Sequence, residues 1–120
     1  LALRLIDAGA SLVADDRVEV RVEQGRLLAS CPPALAGLLE VRGVGILRMP
    51  HESVTEVRLV VDLVAPETVE RLPEPESTVV EGCSLPRLAL APFPASAAAK
   101  IRLAAAAVRG GVLGRIPEPT

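Results

Sequence analysis

Aromatic side chains are almost missing. The 120 residues contain no Trp and no Tyr, and Phe93 is the single aromatic residue. Such a chain lacks the stacking platforms on which single-stranded nucleic acids are held. No excess of positive charge compensates. Thirteen Lys and Arg stand against 15 Asp and Glu, a formal net charge of −2, so there is no basic footprint for a polyanion. Nucleic-acid binding is therefore not expected. Long apolar runs are also missing, so no segment is expected to span a bilayer. No basic-then-apolar signal segment opens the sequence. The two cysteines, Cys31 and Cys83, lie far apart, and neither has a Cys or His at metal-ligand spacing. They are expected as reduced, buried thiols. Together these absences point to the cytoplasm. His51 is the only histidine, and a lone loop histidine is expected to be structural.

What is there is aliphatic. Half of the residues are apolar, and the set is almost entirely Leu, Val, Ala and Ile. The length fits one domain with a real core, and neither an internal repeat nor an interdomain linker is visible. Leu1 to Gly9 reads as the end of a helix, with Gly9 past its C-terminus. No N-cap precedes Leu1, so the first turn of that helix is expected upstream. Ser11 to Ala14 is a short apolar strand that ends in Asp15-Asp16.

Arg17 to Glu23 alternates, with Val18, Val20 and Val22 on one face, as a half-exposed strand does. Gln24-Gly25 makes a hairpin turn into a strand over Arg26 to Ser30, and Pro32-Pro33 stops that strand. One helical turn is expected over Ala34 to Leu38. Val57 to Val64 is the most β-like run. Glu67 to Leu72 reads as a short polar helix or turn. Thr78 to Glu81 and Leu85 to Leu90 read as a strand pair. Ser96 is placed to cap a helix over Ala97 to Val108, with Ile101, Ala104, Ala105 and Val108 on one stripe. Gly110-Gly111 ends it, and a loose tail is expected over 110–120. The pattern is that of an α/β or α+β domain centred on a sheet.

Two segments carry groups suited to chemistry. In Ala14-Asp15-Asp16-Arg17 two acids follow a strand at its C-terminal end, the edge at which ligands sit in open α/β sheets. A carboxylate there is able to hold a metal or to accept a hydroxyl proton; an Asp-Asp pair is equally a way to turn the chain. In Glu40-Val41-Arg42-Gly43-Val44-Gly45 an acid and a base two positions apart share a face if the segment is a strand. A phosphate site with Mg²⁺ needs such a pair, an oxygen ligand for the metal and a cation for the phosphate oxygens. The other reading is a surface ion pair beside a β-bulge. Arg71, in Val69-Glu-Arg-Leu-Pro73, reads in isolation as a solvated loop residue. Lys100, Arg102 and Arg109 read as a solvated helix face.

Taken in order, these segments resemble the HPr kinase/phosphorylase family. The resemblance runs through Leu12-Val-Ala-Asp-Asp-Arg-Val18, Pro32-Pro33 and Leu38-Leu-Glu-Val-Arg-Gly-Val-Gly-Ile46, with Glu70-Arg71-Leu72 at the right distance downstream. The third is similar to the family's signature segment, Leu-Glu-Ile-Arg-Gly-Leu-Gly-Ile.

The resemblance implies a P-loop kinase-like α/β fold of the PEP carboxykinase-like kind, with a central mixed sheet and flanking helices. It implies ATP and Mg²⁺ as cofactors and, as partner, an HPr-type phosphocarrier of the phosphotransferase system, phosphorylated on a serine. Such a kinase regulates carbon or nitrogen metabolism, and a homo-oligomer is implied as well. Asp16 matches the family's general base, with Asp15 as a supporting acid. Glu40 matches its Mg²⁺ ligand and Arg71 its catalytic arginine. Leu39, Glu40, Val41, Arg42, Gly43, Val44, Gly45 and Ile46 match the signature.

The chain departs from the family pattern in three ways. Its P-loop, Gly-x-x-x-x-Gly-Lys-Ser/Thr, and its catalytic histidine are expected before Leu1. Ala91 to Ser96 carries neither the Lys nor the Arg of the segment tied to dephosphorylation, which argues against phosphorylase activity. Arg48 stands where the signature often ends in Asp or Asn. Two other classes compete with the kinase: a non-catalytic binding or sensor module, and a related P-loop kinase with another substrate.

Overall fold

The structure, a computed structural model, describes residues 1–113. Most of the tail expected over 110–120 lies outside the described residues. The chain divides into two compact units, Ala2–Val57 and Arg58–Thr120, the latter also taking in Leu1.

The first unit opens with helix α1 (Ala2–Asp7). It closes in a Schellman motif: Gly9 N–H donates to Ile6 O at 3.0 Å, and Ala10 N–H donates to Leu5 O at 3.0 Å. Strands β1 (Glu19–Glu23) and β2 (Arg26–Ser30) form a hairpin. Gln24 and Gly25 both have positive φ, +52° and +74°, as the two central residues of a type I′ turn require. Strand β5 (Val54–Glu56) adds to the far side of β2, giving an antiparallel sheet in the order β1-β2-β5. The expected helical turn is a 3-10 turn over Pro33–Leu35. Strands β3 (Leu38–Val41) and β4 (Gly45–Arg48) make a second hairpin. The buried apolar side chains of this unit are Leu12, Leu27, Ala29 and Leu39.

Two expectations here are corrected. Ser11 to Ala14 is no strand: Leu12 alone forms a bridge, parallel to His51. The valines of the 17–23 segment alternate, but no face of them is buried. Val18, Val20 and Val22 are 51%, 42% and 45% exposed; among the described residues β1 is an edge strand, paired with β2.

In the second unit β6 (Val60–Leu63) pairs in parallel with β8 (Cys83–Leu90), and β7 (Glu76–Val80) pairs with β8 antiparallel. This is the mixed sheet of the α/β fold, in the order β6-β8-β7. Pro86 sits within the middle strand, which lacks a backbone donor there. The two-residue turn between Val80 and Cys83 makes that pair hydrogen-bonded, so by alternation Ser77↔Pro86 is a non-bonded pair. Pairing with β6 begins only at Arg87, and the missing N–H costs the sheet nothing.

A 3-10 turn over Pro66–Thr68 follows β6. Helix α2 (Ala97–Arg109) is the last helix or strand of the described residues. Its stripe is as expected, with Ala97 and Ala104 buried and Ile101, Ala105 and Val108 half-buried. Ser96 precedes it, but its own backbone is helical (φ −77°, ψ −8°) and its hydroxyl makes no capping bond. A capping side chain needs an extended backbone to reach the N–H of the second or third helical residue; here the chain already coils before the helix, with Ala97 N–H donating to Pro94 O at 3.1 Å. Cys31 and Cys83 are free thiols as expected, but half-buried rather than buried. Among the described residues no helix is long and apolar enough to cross a membrane.

Candidate active site

The signature segment 39–46 is a β-hairpin and its tip. Leu39 is buried at 4% exposure, and Glu40 beside it is exposed, opposite Ile46 on β4. Alternation along β3 explains this: Leu39 faces the core and Glu40 faces away. Val44 N–H donates to Val41 O at 2.9 Å, closing a turn around Arg42 and Gly43. Gly43 has φ +83°, the left-handed value that the third position of a type II turn demands. Arg42 therefore stands in the turn and not on the strand. The expectation that Glu40 and Arg42 share a strand face is corrected, as is the alternative of a surface ion pair beside a bulge. Ion pairs seen in this unit include Arg21–Glu23 and Arg26–Glu56.

Asp15 and Asp16 are exposed in a bend that begins three residues after Leu12. On the N-terminal side the bend is anchored by the Leu12↔His51 bridge, with Glu52 N–H donating to Leu12 O at 2.8 Å. The strap that carries His51 comes directly from β4. It is tied to the start of β3 by Met49 N–H donating to Gly37 O at 2.7 Å and by Arg48 Nη1 donating to Ala36 O at 3.1 Å. One unit thus holds Asp15, Asp16 and Glu40. Arg71 belongs to the other unit, exposed in a bend after Glu70.

Arg71 lines a pocket of about 410 Å³ with Val69, Leu90, Ala91, Pro94 and Lys100. Lys100 is exposed, as a solvated helix face requires, and it also puts a second cation at the pocket of Arg71. The signal that points to it is its place in the first turn of α2, just after the Ala91–Ser96 connection. A larger cavity of about 880 Å³ in the same unit is lined by Glu70, Leu72, Glu74, Glu76, Arg87 and Val108, among others.

No cluster of three or more His, Cys, Asp or Glu side chains able to hold a metal occurs among the described residues. An all-protein cage is thus not built here. A single exposed carboxylate at Glu40 suits Mg²⁺, which keeps several waters and takes one or two protein carboxylates together with phosphate oxygens.

The family HPr Serine kinase C-terminal domain matches residues 1–109. Curated relatives named HPr kinase/phosphorylase include one from Clostridium tetani, 49% identical over 49 residues, which are 41% of this chain and 16% of that protein. Another, from Verminephrobacter eiseniae, is 40% identical over 79 residues, 59% of this chain and 25% of that protein. These alignments span a quarter or less of the curated relatives' length. A solved structure, the Hpr(Ser) kinase/phosphatase from Coxiella burnetii, superposes with a TM-score of 0.78 at 25% identity. It covers 92% of this chain and 77% of the other. The fold is thus that of the HPr kinases, and the chain belongs to the HPr serine kinase C-terminal domain family.

Proposed function

We propose that the protein from which this chain comes transfers a phosphoryl group from ATP to a serine of an HPr-type phosphocarrier, in the cytoplasm, as a regulator of carbon or nitrogen metabolism. One observation carries the reading. The family signature folds as an ordered hairpin that presents Glu40 to solvent, in the same unit as the exposed Asp15-Asp16 bend.

The residue roles are those the family resemblance implies, and each agrees with the residue's chemistry. Asp16 accepts the serine proton as the hydroxyl attacks, with Asp15 as a supporting acid beside it. Glu40 would hold Mg²⁺, which when bound would neutralise charge on the phosphate oxygens. Arg71, with a planar and permanently charged guanidinium, stabilises charge on the transferring group. No Gly-x-x-x-x-Gly-Lys-Ser/Thr sequence occurs in these residues. Reversal by inorganic phosphate is not part of the proposal, because Ala91 to Ser96 has neither Lys nor Arg. A homo-oligomer is proposed on family grounds alone.

The test is made on the protein at its full encoded length. With Mg-ATP and an HPr-type carrier it should form phosphoserine, and Asp16→Asn should reduce the rate by about 10²- to 10⁴-fold, the usual contribution of a positioned base. An Asp16→Asn protein as fast as the parent would overturn the assignment.

A further inference from the structure

We propose that the strap from Arg48 to Glu52, locked by His51 over Gly37, is the element that positions Asp16 relative to the Glu40 hairpin. This rests on the reading of Asp16 as base and Glu40 as metal ligand. The strap grips both sides. Toward the hairpin, Met49 N–H donates to Gly37 O at 2.7 Å, and Arg48 Nη1 donates to Ala36 O at 3.1 Å; β3, with Glu40, begins at the next residue, Leu38. Toward the bend, His51 bridges Leu12 and Glu52 N–H donates to Leu12 O at 2.8 Å.

The His51 ring closes the strap on itself, Nδ1–H donating to Met49 O at 3.2 Å. The fit is tight beneath it. A Cβ on Gly37 would lie 2.7 Å from His51 Nδ1 and 2.9 Å from Met49 O, so the ring and the carbonyl rest directly on the bare backbone of residue 37. Among the described residues, the Leu12 bridge is the only β-pairing of the segment before the bend. A shift of the strap is therefore passed to Asp15-Asp16 within four residues. His51 and Gly37 are positioning residues; neither is assigned contact with substrate.

The experiment compares His51→Ala with His51→Asn in the full-length protein. The asparagine amide is able to donate to Met49 O from nearly the place of Nδ1; alanine is not. His51→Ala should lower kcat for carrier phosphorylation by about 10- to 100-fold, the scale of a misplacement of about 1 Å. KM for Mg-ATP should change less than about threefold, and His51→Asn should recover most of the rate. Amide exchange at Glu52 should rise in His51→Ala and stay near the parent value in His51→Asn. Unchanged kcat or unchanged Glu52 exchange in His51→Ala, or no recovery with asparagine, overturns the inference. If Asp16→Asn is inactive in the same series, the catalytic reading survives that failure; if Asp16→Asn is fully active, the reading itself fails.

Discussion

Arg87 on β8 grips Asp62 on β6 with two nitrogens: Nε donates to the carboxylate oxygen Oδ2, and Nη2 makes an ion-pair contact with the same oxygen. The pair crosses the single parallel junction of the mixed sheet, where Val60 stands opposite Arg87 and Asp62 opposite Ala89. Parallel pairing is slightly the weaker kind per residue, and this junction has four residue pairs, so a cross-strand clamp has value there. Its size is limited by exposure, 43% for the arginine side chain and 35% for the aspartate. Screening by solvent holds such a pair to about 0.5–1 kcal/mol. A double-mutant cycle with Asp62→Asn and Arg87→Gln, read by denaturant unfolding, should return a coupling energy of that order. The coupling should shrink when salt is raised toward 1 M, where the screening length is about 3 Å. A coupling above about 2 kcal/mol, or one insensitive to salt, would contradict this account.

Glu40→Gln keeps the shape of the side chain and removes its charge. The side chain is exposed and its neighbour across the hairpin is Ile46, so the fold should be little affected. If Glu40 is a Mg²⁺ ligand, the concentration of Mg²⁺ giving half-maximal phosphorylation should rise by about tenfold, equivalent to about 1.4 kcal/mol. Excess Mg²⁺ should recover part of the rate. A titration of activity against Mg²⁺ at fixed ATP decides it. A variant that is slow at every Mg²⁺ concentration, with the same midpoint as the parent, would place Glu40 in another role.

The signature hairpin shows how far the sequence could be read and where reading stopped. Glu40, Val41, Arg42 and the two glycines were visible as a pattern, and β2 and the Gln24-Gly25 turn fell where their residues pointed. The turn at Arg42-Gly43 did not, because an arginine between a valine and a glycine fits a strand and a type II turn equally well; the Val44–Val41 hydrogen bond decides between them.

The run from Val57 to Val64 reads as one strand because its β-propensity is continuous. It is divided nonetheless. Val57 N–H still donates to Leu27 O beside β2, while Val60 begins a new pairing with Arg87. Partners this far away in sequence leave no local trace. For the same reason Asp16 and Arg71 are legible as residue types, but the anchoring of the Asp15-Asp16 bend by His51, and Lys100 at the pocket of Arg71, had to be seen in the structure.

Arg71 and Lys100 should differ in what they contribute. A guanidinium offers a flat fork of donors that matches two phosphate oxygens, whereas an ammonium acts as a point charge. Arg71→Ala should reduce kcat by about 10²- to 10³-fold, the usual loss for one donor to a developing anion, and Arg71→Lys should recover only a small part. Lys100→Ala should have a milder effect, reduced further by salt, since its side chain is exposed at the rim. Steady-state rates at two ionic strengths separate the cases. Equal losses in Arg71→Ala and Lys100→Ala would mean that the two cations act as one unit.

Gly37 and Gly43 offer a controlled comparison, since both hold left-handed backbone, at φ +77° and +83°, yet their surroundings differ. A Cβ at residue 43 would meet nothing within 4 Å, whereas one at residue 37 would strike His51 and the Met49 carbonyl. Gly43→Ala should therefore cost only the left-handed conformation, about 1 kcal/mol. Gly37→Ala should carry that cost and an overpacking cost of about 1–3 kcal/mol in addition, which makes it the more destabilising by at least a factor of two. Denaturant unfolding of the two variants beside the parent measures the difference. Equal losses would mean that the His51 ring moves aside freely, and that the contact over Gly37 adds nothing to the stability of the strap.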